Sequence, residues 1–335
     1  MAGDGADRPL PRPGPGGFSA WDLVRHYRFP DEFDGSGVSI GLVRVYGGFR
    51  RSDIAQYFAA AGCSAPVIEE ISIGGQANNP VADPPANTEL VRDLEILGTA
   101  APGARINVYF AGNTETGIVD GFSQAVHDPD RRNKVICFTA EIPEAEVTPM
   151  LAHAVADFVQ DAAVMGKVVC APAGSWTTGG LVPYFPGTSP YILSCAATRA
   201  VATGNDLVER PVPAVQPVLG GPAGQQVTGR LVPDVTCLAD ANRGYRCYIN
   251  GTWGGVAGVG PAVCMWAGLL ACILQAPGRR AFMLPDLYQR LGPGGALTQT
   301  DPAVPRGRWS PGTGWGSPDG QRLLAALATK SRKSR

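Results

Sequence analysis

The stretch "TPMLAHAVADFVQDAAVMGKVVCAPAG", residues 148–174, decides the fold. Its first part is a long helix, and it leads straight into the short, β-rich run "KVVCAPAG". The same alternation continues outward. "GVSIGLVRVYGG" reads as a buried strand closed by Gly47 and Gly48, and "RSDIAQYFAAAG" as a helix capped by Ser52 or Asp53 and ended by Gly62. "NTELVRDLEILGTAAPGA" is a further helix with Leu90, Leu94 and Leu97 on one face. "RINVYFAG" and "NKVICFTAE" are strands. Repeated strand–helix alternation implies an α/β fold: a doubly wound, mostly parallel sheet covered by helices on both faces.

Composition bounds what such a domain does. The chain has 335 residues, 44% hydrophobic and 17% charged, so its bulk is globular. A net charge of −1 gives no basic field for nucleic acid or acidic lipid. The eight cysteines show no CxxC spacing, and several sit in apolar runs where a reduced, buried thiol is expected. Residues 1–17, "MAGDGADRPLPRPGPGG", carry no apolar signal-peptide core and read as a disordered arm. These features together imply a cytoplasmic protein. Residues 18–328 read as one domain, with 205–250 as excursions from it, and the final "TKSRKSR" as a solvated basic tail. The uncharged run 254–276 is long enough to raise a membrane span. Four Gly and a Pro in its first eight residues, and no second such segment, favour a buried core helix instead.

In a doubly wound sheet, ligands sit beyond the carboxyl ends of the strands. The loops there are "YGGF", "AGNTE", "TAEIPE" and "PAGSWTTGG". Glu89 and Asp93 are four apart, hence on one helix face beside the apolar stripe. Such a pair shares a proton, recruits a cation, or is only an acid-rich first turn. "GGVAGVGP", 254–261, is a Gly-rich turn feeding an apolar helix, the setting in which many α/β enzymes present a nucleophilic Ser. Its middle holds Val256, Ala257 and Gly258, none of which can attack a substrate.

From about Phe18 to Leu327 the chain resembles the sedolisin family of serine-carboxyl peptidases, kumamolisin-type members in particular. The segments that carry the resemblance occur in family order: "FSAWDLVRHYRFPDEFDGSGVSIGLVRVYGGF", "TELVRDLEILGTAAPGARINVYFA", "GKVVCAPAGSWTTGG" with "YFPGTSPYILSCAATRAV", "RLVPDVTCLADANRGYRCYINGTWGGVAGVGP", and "GTGWGSPDGQRLLAAL". The resemblance implies a subtilisin-like fold, a Ser nucleophile, a Glu base backed by an Asp, and an Asp at the oxyanion. Carried over by position, the Glu and Asp fall on Glu89 and Asp93. The nucleophile falls on Ala257. Sliding the motif onto "GTW" puts Trp253 there instead. The oxyanion Asp falls on Ser175 in "AGSW", beside Gly174 and Trp176, and a further family Glu falls on Arg44. "FTAE", with Thr139 and then Glu141, stands in place of a substrate-strand segment. Family calcium ligands fall on Ala296 and Ser310, with Asp301 and Asp319 nearby, which implies no calcium and no other cofactor. The chain starts almost at the catalytic domain, where family members carry a long pro-segment.

Serine-peptidase activity is therefore not expected. Three roles stay open. A pseudoenzyme would bind an extended peptide, a partner protein or a small molecule in the old cleft. A repurposed isomerase, cyclase or lyase would use Glu89 and Asp93 as an acid–base pair. A purely structural dyad would be tied to Arg44. If Arg44 pairs with Asp93, both carboxyls should be pulled down; if it points away, one should rise. Trp176 is a lid or plain packing. His153, in the apolar face of its helix, is expected to be a core or surface residue rather than a catalytic one.

Overall fold

The structure, a computed structural model, describes residues 9–177, 180–212, 231–240, 242–279 and 282–327. In chain order the first half runs α1 (Ala20–His26), β1 (Ser39–Arg44), α2 (Arg51–Ala60), β2 (Val67–Ser72), α3 (Pro84–Ala100), β3 (Arg105–Phe110), α4 (Glu115–His127), β4 (Val135–Phe138), β5 (Ile142–Pro143) and α5 (Pro149–Val164). There follow β6 (Val168–Pro172), β7 (Gly174–Thr177), β8 (Gly180–Phe185), β9 (Ile192–Thr203), β10 (Asp206–Pro211) and β11 (Val235–Leu238). The chain closes with β12 (Tyr245–Ile249), β13 (Thr252–Val256), α6 (Gly260–Gln275), the short α7 (Leu284–Asp286) and α8 (Gly320–Ala326).

The main sheet has the order β10-β9-β6-β4-β1-β3-β2, with β11 also paired to β9. Only the β10–β9 pairing is antiparallel. Along β1 the side chains alternate, Ile40 and Leu42 joining one core and Val43 the other. The first core holds the sheet against α3 and α6, the second against α4 and α5. A strand covered on both faces needs apolar residues at every position, which is why these strands read as continuous rather than alternating.

The uncharged run splits into β13, a turn and α6. Residues 260–273 of α6 are buried on every side. Each large apolar side chain withdrawn there contributes about 1.5–3 kcal/mol, more than the helix-propensity cost of its glycines. No described helix is long and apolar enough to cross a membrane. The hairpin β12–β13 turns at Asn250 and Gly251, with φ 50° and 80°. Both lie in the left-handed region that a two-residue type I′ turn demands, so Asn-Gly is the local signal for it.

Several elements depart from the sequence reading. The part of the 1–17 arm that is described is packed on the body. Leu10 is buried and its N–H donates to the Leu207 carbonyl, while Phe18 bridges to Tyr245 beside the hairpin. Neither Ser52 nor Asp53 caps α2, whose N-cap is Arg50 without a side-chain bond. Asp53 instead accepts the Asn250 N–H at 2.9 Å, because tertiary contact offers it a better donor. His153 is exposed rather than on the buried face, with its ring against the Pro149 carbonyl. Trp253 lies inside β13 and not at the head of α6, which removes the "GTW" alternative for the turn.

Candidate functional site

The site forms at the carboxyl ends of the parallel strands. Arg44 is the last residue of β1, and Thr139 follows β4 directly. Helix α3, capped by Asp83 with Pro84 at its first position, brings Glu89 and Asp93 over these ends. Asp93 is fully buried, whereas the Glu89 side chain is 44% exposed. The Arg44 guanidinium bridges them, 3.6 Å from Glu89 Oε2 and 3.7 Å from Asp93 Oδ2. It also donates to Thr139 Oγ1 at 3.0 Å and to the Ala86 carbonyl at 3.1 Å.

Arg92 is the residue that sequence reasoning missed. Only 2% exposed, it forks onto Asp93 Oδ1 through Nε at 3.0 Å and Nη2 at 2.8 Å. Its Nη1 donates to the Ala257 carbonyl. A side-chain methyl at Gly258 (φ 128°) would lie 2.6 Å from Arg92 Nη1. One at Gly260 would lie 2.8 Å from Asp93 Oδ1. The glycines of the turn thus make room for a buried guanidinium and carboxylate, a role that "GGVAGVGP" alone does not disclose. A signal existed: an arginine inside an apolar helical stripe must find a buried partner.

On the other side of the turn, Glu141 Oε1 accepts the Val259 N–H at 3.2 Å, placing a carboxylate at the N-terminus of α6 where the helix dipole favours it. Tyr184 on β8 donates to Glu141 Oε2 at 3.2 Å and also meets the Ser175 hydroxyl. Ser175 lies on β7 beside Gly174, paired with Val182 across the β7–β8 hairpin. A polar relay therefore links Ser175, Tyr184, Glu141 and the turn. The Trp176 backbone belongs to β7, but its side chain lies outside the described residues. Beside Ala257 a recess of about 380 Å³ is walled largely by glycine backbone, including Gly14, Gly17, Gly244 and Gly255.

Arg44 does pair with both acids, yet Glu89 is not pulled down. Burial pushes its carboxyl up, against the opposing pull of Arg44 and Arg92, and Asp93 and Glu141 add to the rise. Long ion pairs on a half-exposed group do not offset its lost hydration.

Kumamolisin from Bacillus sp. (strain MN-32) is 33% identical over 358 residues, covering 93% of this chain and 64% of that protein. Tripeptidyl-peptidase sed5 from Aspergillus fumigatus is 23% identical over 316 residues, covering 77% of this chain and 53% of that protein. The chain thus spans less than two thirds of the length of either relative. Pseudomonas sedolisin, a serine-carboxyl proteinase solved with pseudo-iodotyrostatin, superposes with a TM-score of 0.73. That match is 18% identical and covers 95% of this chain and 99% of that one. The fold is subtilisin-like α/β. No protein-family model matches the chain.

The positions where sedolisin-type calcium ligands were expected hold a different chemistry. Asp301 accepts from the Ser310 hydroxyl at 2.8 Å and from the Ala303 N–H at 3.0 Å. Asp319 caps α8 and pairs with Arg28 at 2.9 Å. Ala296 is buried and offers no side-chain oxygen. Both carboxylates are thus already engaged, whereas a hard cation draws on six to eight oxygen ligands at about 2.3–2.6 Å. Among the described residues, no three His, Cys, Asp or Glu side chains converge as a metal cluster.

Proposed function

We propose that this chain is a catalytically silent sedolisin-type homologue that binds an extended peptide or a partner protein in the former substrate cleft. The observation that carries the reading is the clamp on the turn. Ala257 offers no nucleophile, its carbonyl is held by Arg92, and Arg92 is itself held by Asp93. The N–H of Val259, the N-cap of α6, which could otherwise meet an anionic intermediate, is taken by Glu141. Ser175 supplies a hydroxyl where the family resemblance expects an acid. What stays open is the recess of about 380 Å³ beside Ala257, walled mostly by glycine backbone with Asn242 and Arg243.

The test is incubation of the full chain with a mixture of extended peptides from pH 3 to pH 8, followed by mass spectrometry. Retained but uncut peptides are expected. Turnover that disappears in Glu89→Gln sinks the reading.

One observation favours a second role. Glu89 stays half exposed and its carboxyl is raised, the state of a group able to hand over a proton. As a repurposed acid–base enzyme the protein would lose about 10²–10⁴-fold of its native activity in Glu89→Gln. As a binding protein it would lose a few-fold at most.

A further inference from the structure

A second pocket lies on the outer side of the β12–β13 hairpin, between it, α1 and α2. About 200 Å³ in volume, it is lined by Ser19, Trp21, Tyr57, Arg246 and Trp253, with Ala60 and Ala61 at its edge. Three aromatic rings therefore wall a space large enough for one more. Tyr57 and Trp253 stand 5.7 Å apart, centroid to centroid, and Tyr248 holds Trp253 edge-on from behind at 5.2 Å. Trp21 is braced edge-to-face on Phe58 at 5.9 Å. Trp253 is nonetheless 38% exposed, so the ring is not wholly packed away.

Arg246 supplies the charge. Its register partner across the hairpin is Gly255, which has no side chain to engage it. The guanidinium turns instead over the Trp253 ring, 4.3 Å from the centroid. Stacking fixes the plane of the fork while leaving its N–H edge outward. Arg246 is exposed and makes no ion pair among the described residues. A planar cation held over an aromatic slot matches a carboxylate on a short arm from an aromatic ring. We propose that this pocket binds an aromatic carboxylate, its ring between Trp21, Tyr57 and Trp253 and its carboxylate on the Arg246 fork. The site is distinct from the turn: Trp253 precedes Ala257 by four residues, about 13 Å of extended chain. It needs no assumption about what the cleft does.

Such a ligand is either a free small acid or the C-terminal residue of a peptide. The experiment titrates the full chain by calorimetry with phenylacetate and N-acetylphenylalanine, each beside its neutral amide. At least one acid is expected to bind about tenfold more tightly than its amide, the difference a charge-assisted bond provides. Preference for N-acetylphenylalanine assigns a peptide terminus, and preference for phenylacetate a free acid. Arg246→Gln, an exposed change, should bring the acid down to the level of its amide with an unaltered melting curve. Trp253→Ala should weaken acid and amide alike. Equal affinity of acid and amide for the unaltered protein, no binding by ~10 mM, or an acid preference that survives Arg246→Gln overturns the proposal.

Discussion

Asp93 and Glu95 sit two residues apart on α3, both fully withdrawn from water, on opposite sides of the helix. Asp93 faces the turn and meets Arg92 and Arg44. Glu95 faces the hairpin and meets no cation among the described residues. Its oxygens accept the Tyr248 N–H at 3.1 and 3.2 Å, with the Cys247 thiol beside them. Burial pushes the Glu95 carboxyl up to about 9. Equal burial is thus met by different partners, two guanidiniums for Asp93 and a backbone N–H for Glu95.

Removing the cation is the strongest way to break that comparison. Arg92→Met leaves Asp93 with Arg44 alone at 3.7 Å and strips the Ala257 carbonyl of its donor. Denaturant unfolding should show a loss of about 3–5 kcal/mol, the usual cost of orphaning a buried charge. A loss under about 1 kcal/mol means that the network does not hold the turn.

Glu95→Gln sharpens the contrast through pH. The folded chain keeps a proton on Glu95 that the unfolded chain releases above about pH 4.3. Stability from this group is therefore complete below that pH and is lost as pH rises toward about 9. Between pH 6 and pH 8 the parent should lose ~2–3 kcal/mol relative to the glutamine variant, which keeps an acceptor for Tyr248. Parallel stability curves for the two proteins would show Glu95 to be ionised in the fold.

Glu89→Gln is the mild counterpart. A side chain 44% exposed and 3.6 Å from its partner should cost no more than about 1 kcal/mol. A fall as large as that of Arg92→Met would place Glu89 inside the buried network rather than at its rim.

The smallest effect is expected from calcium. A ligand specific to the folded state adds about 2.7 kcal/mol at a hundredfold excess over its Kd. Melting temperatures with EDTA and with added calcium should coincide, since Asp301 and Asp319 are engaged by hydrogen bonds and by Arg28. A rise of several degrees with calcium overturns the assignment.

The sequence by itself determined the alternation of strands and helices, a buried helix within the uncharged run 254–276 (though only 260–273 are buried throughout), and the pairing of Glu89 with Asp93 on one face. These follow from local periodicity and from the charge-free composition of α6, which any packing must respect. It did not disclose β2, α4 or the β7–β8 hairpin, and of the β12–β13 hairpin it marks only the turn, by Asn250 and Gly251. Short strands such as "VIEEIS" carry a mixed pattern at a half-exposed edge. Nor did it fix the partners of the site. Arg92 and Ala257 are 165 positions apart and Glu141 and Val259 are 118 apart. Only the packing of α3 against α6 at the sheet's carboxyl edge decides that an arginine next to Asp93 reaches the turn. The same holds for Glu95, whose carboxyl is raised by a burial among tertiary neighbours that no local pattern encodes.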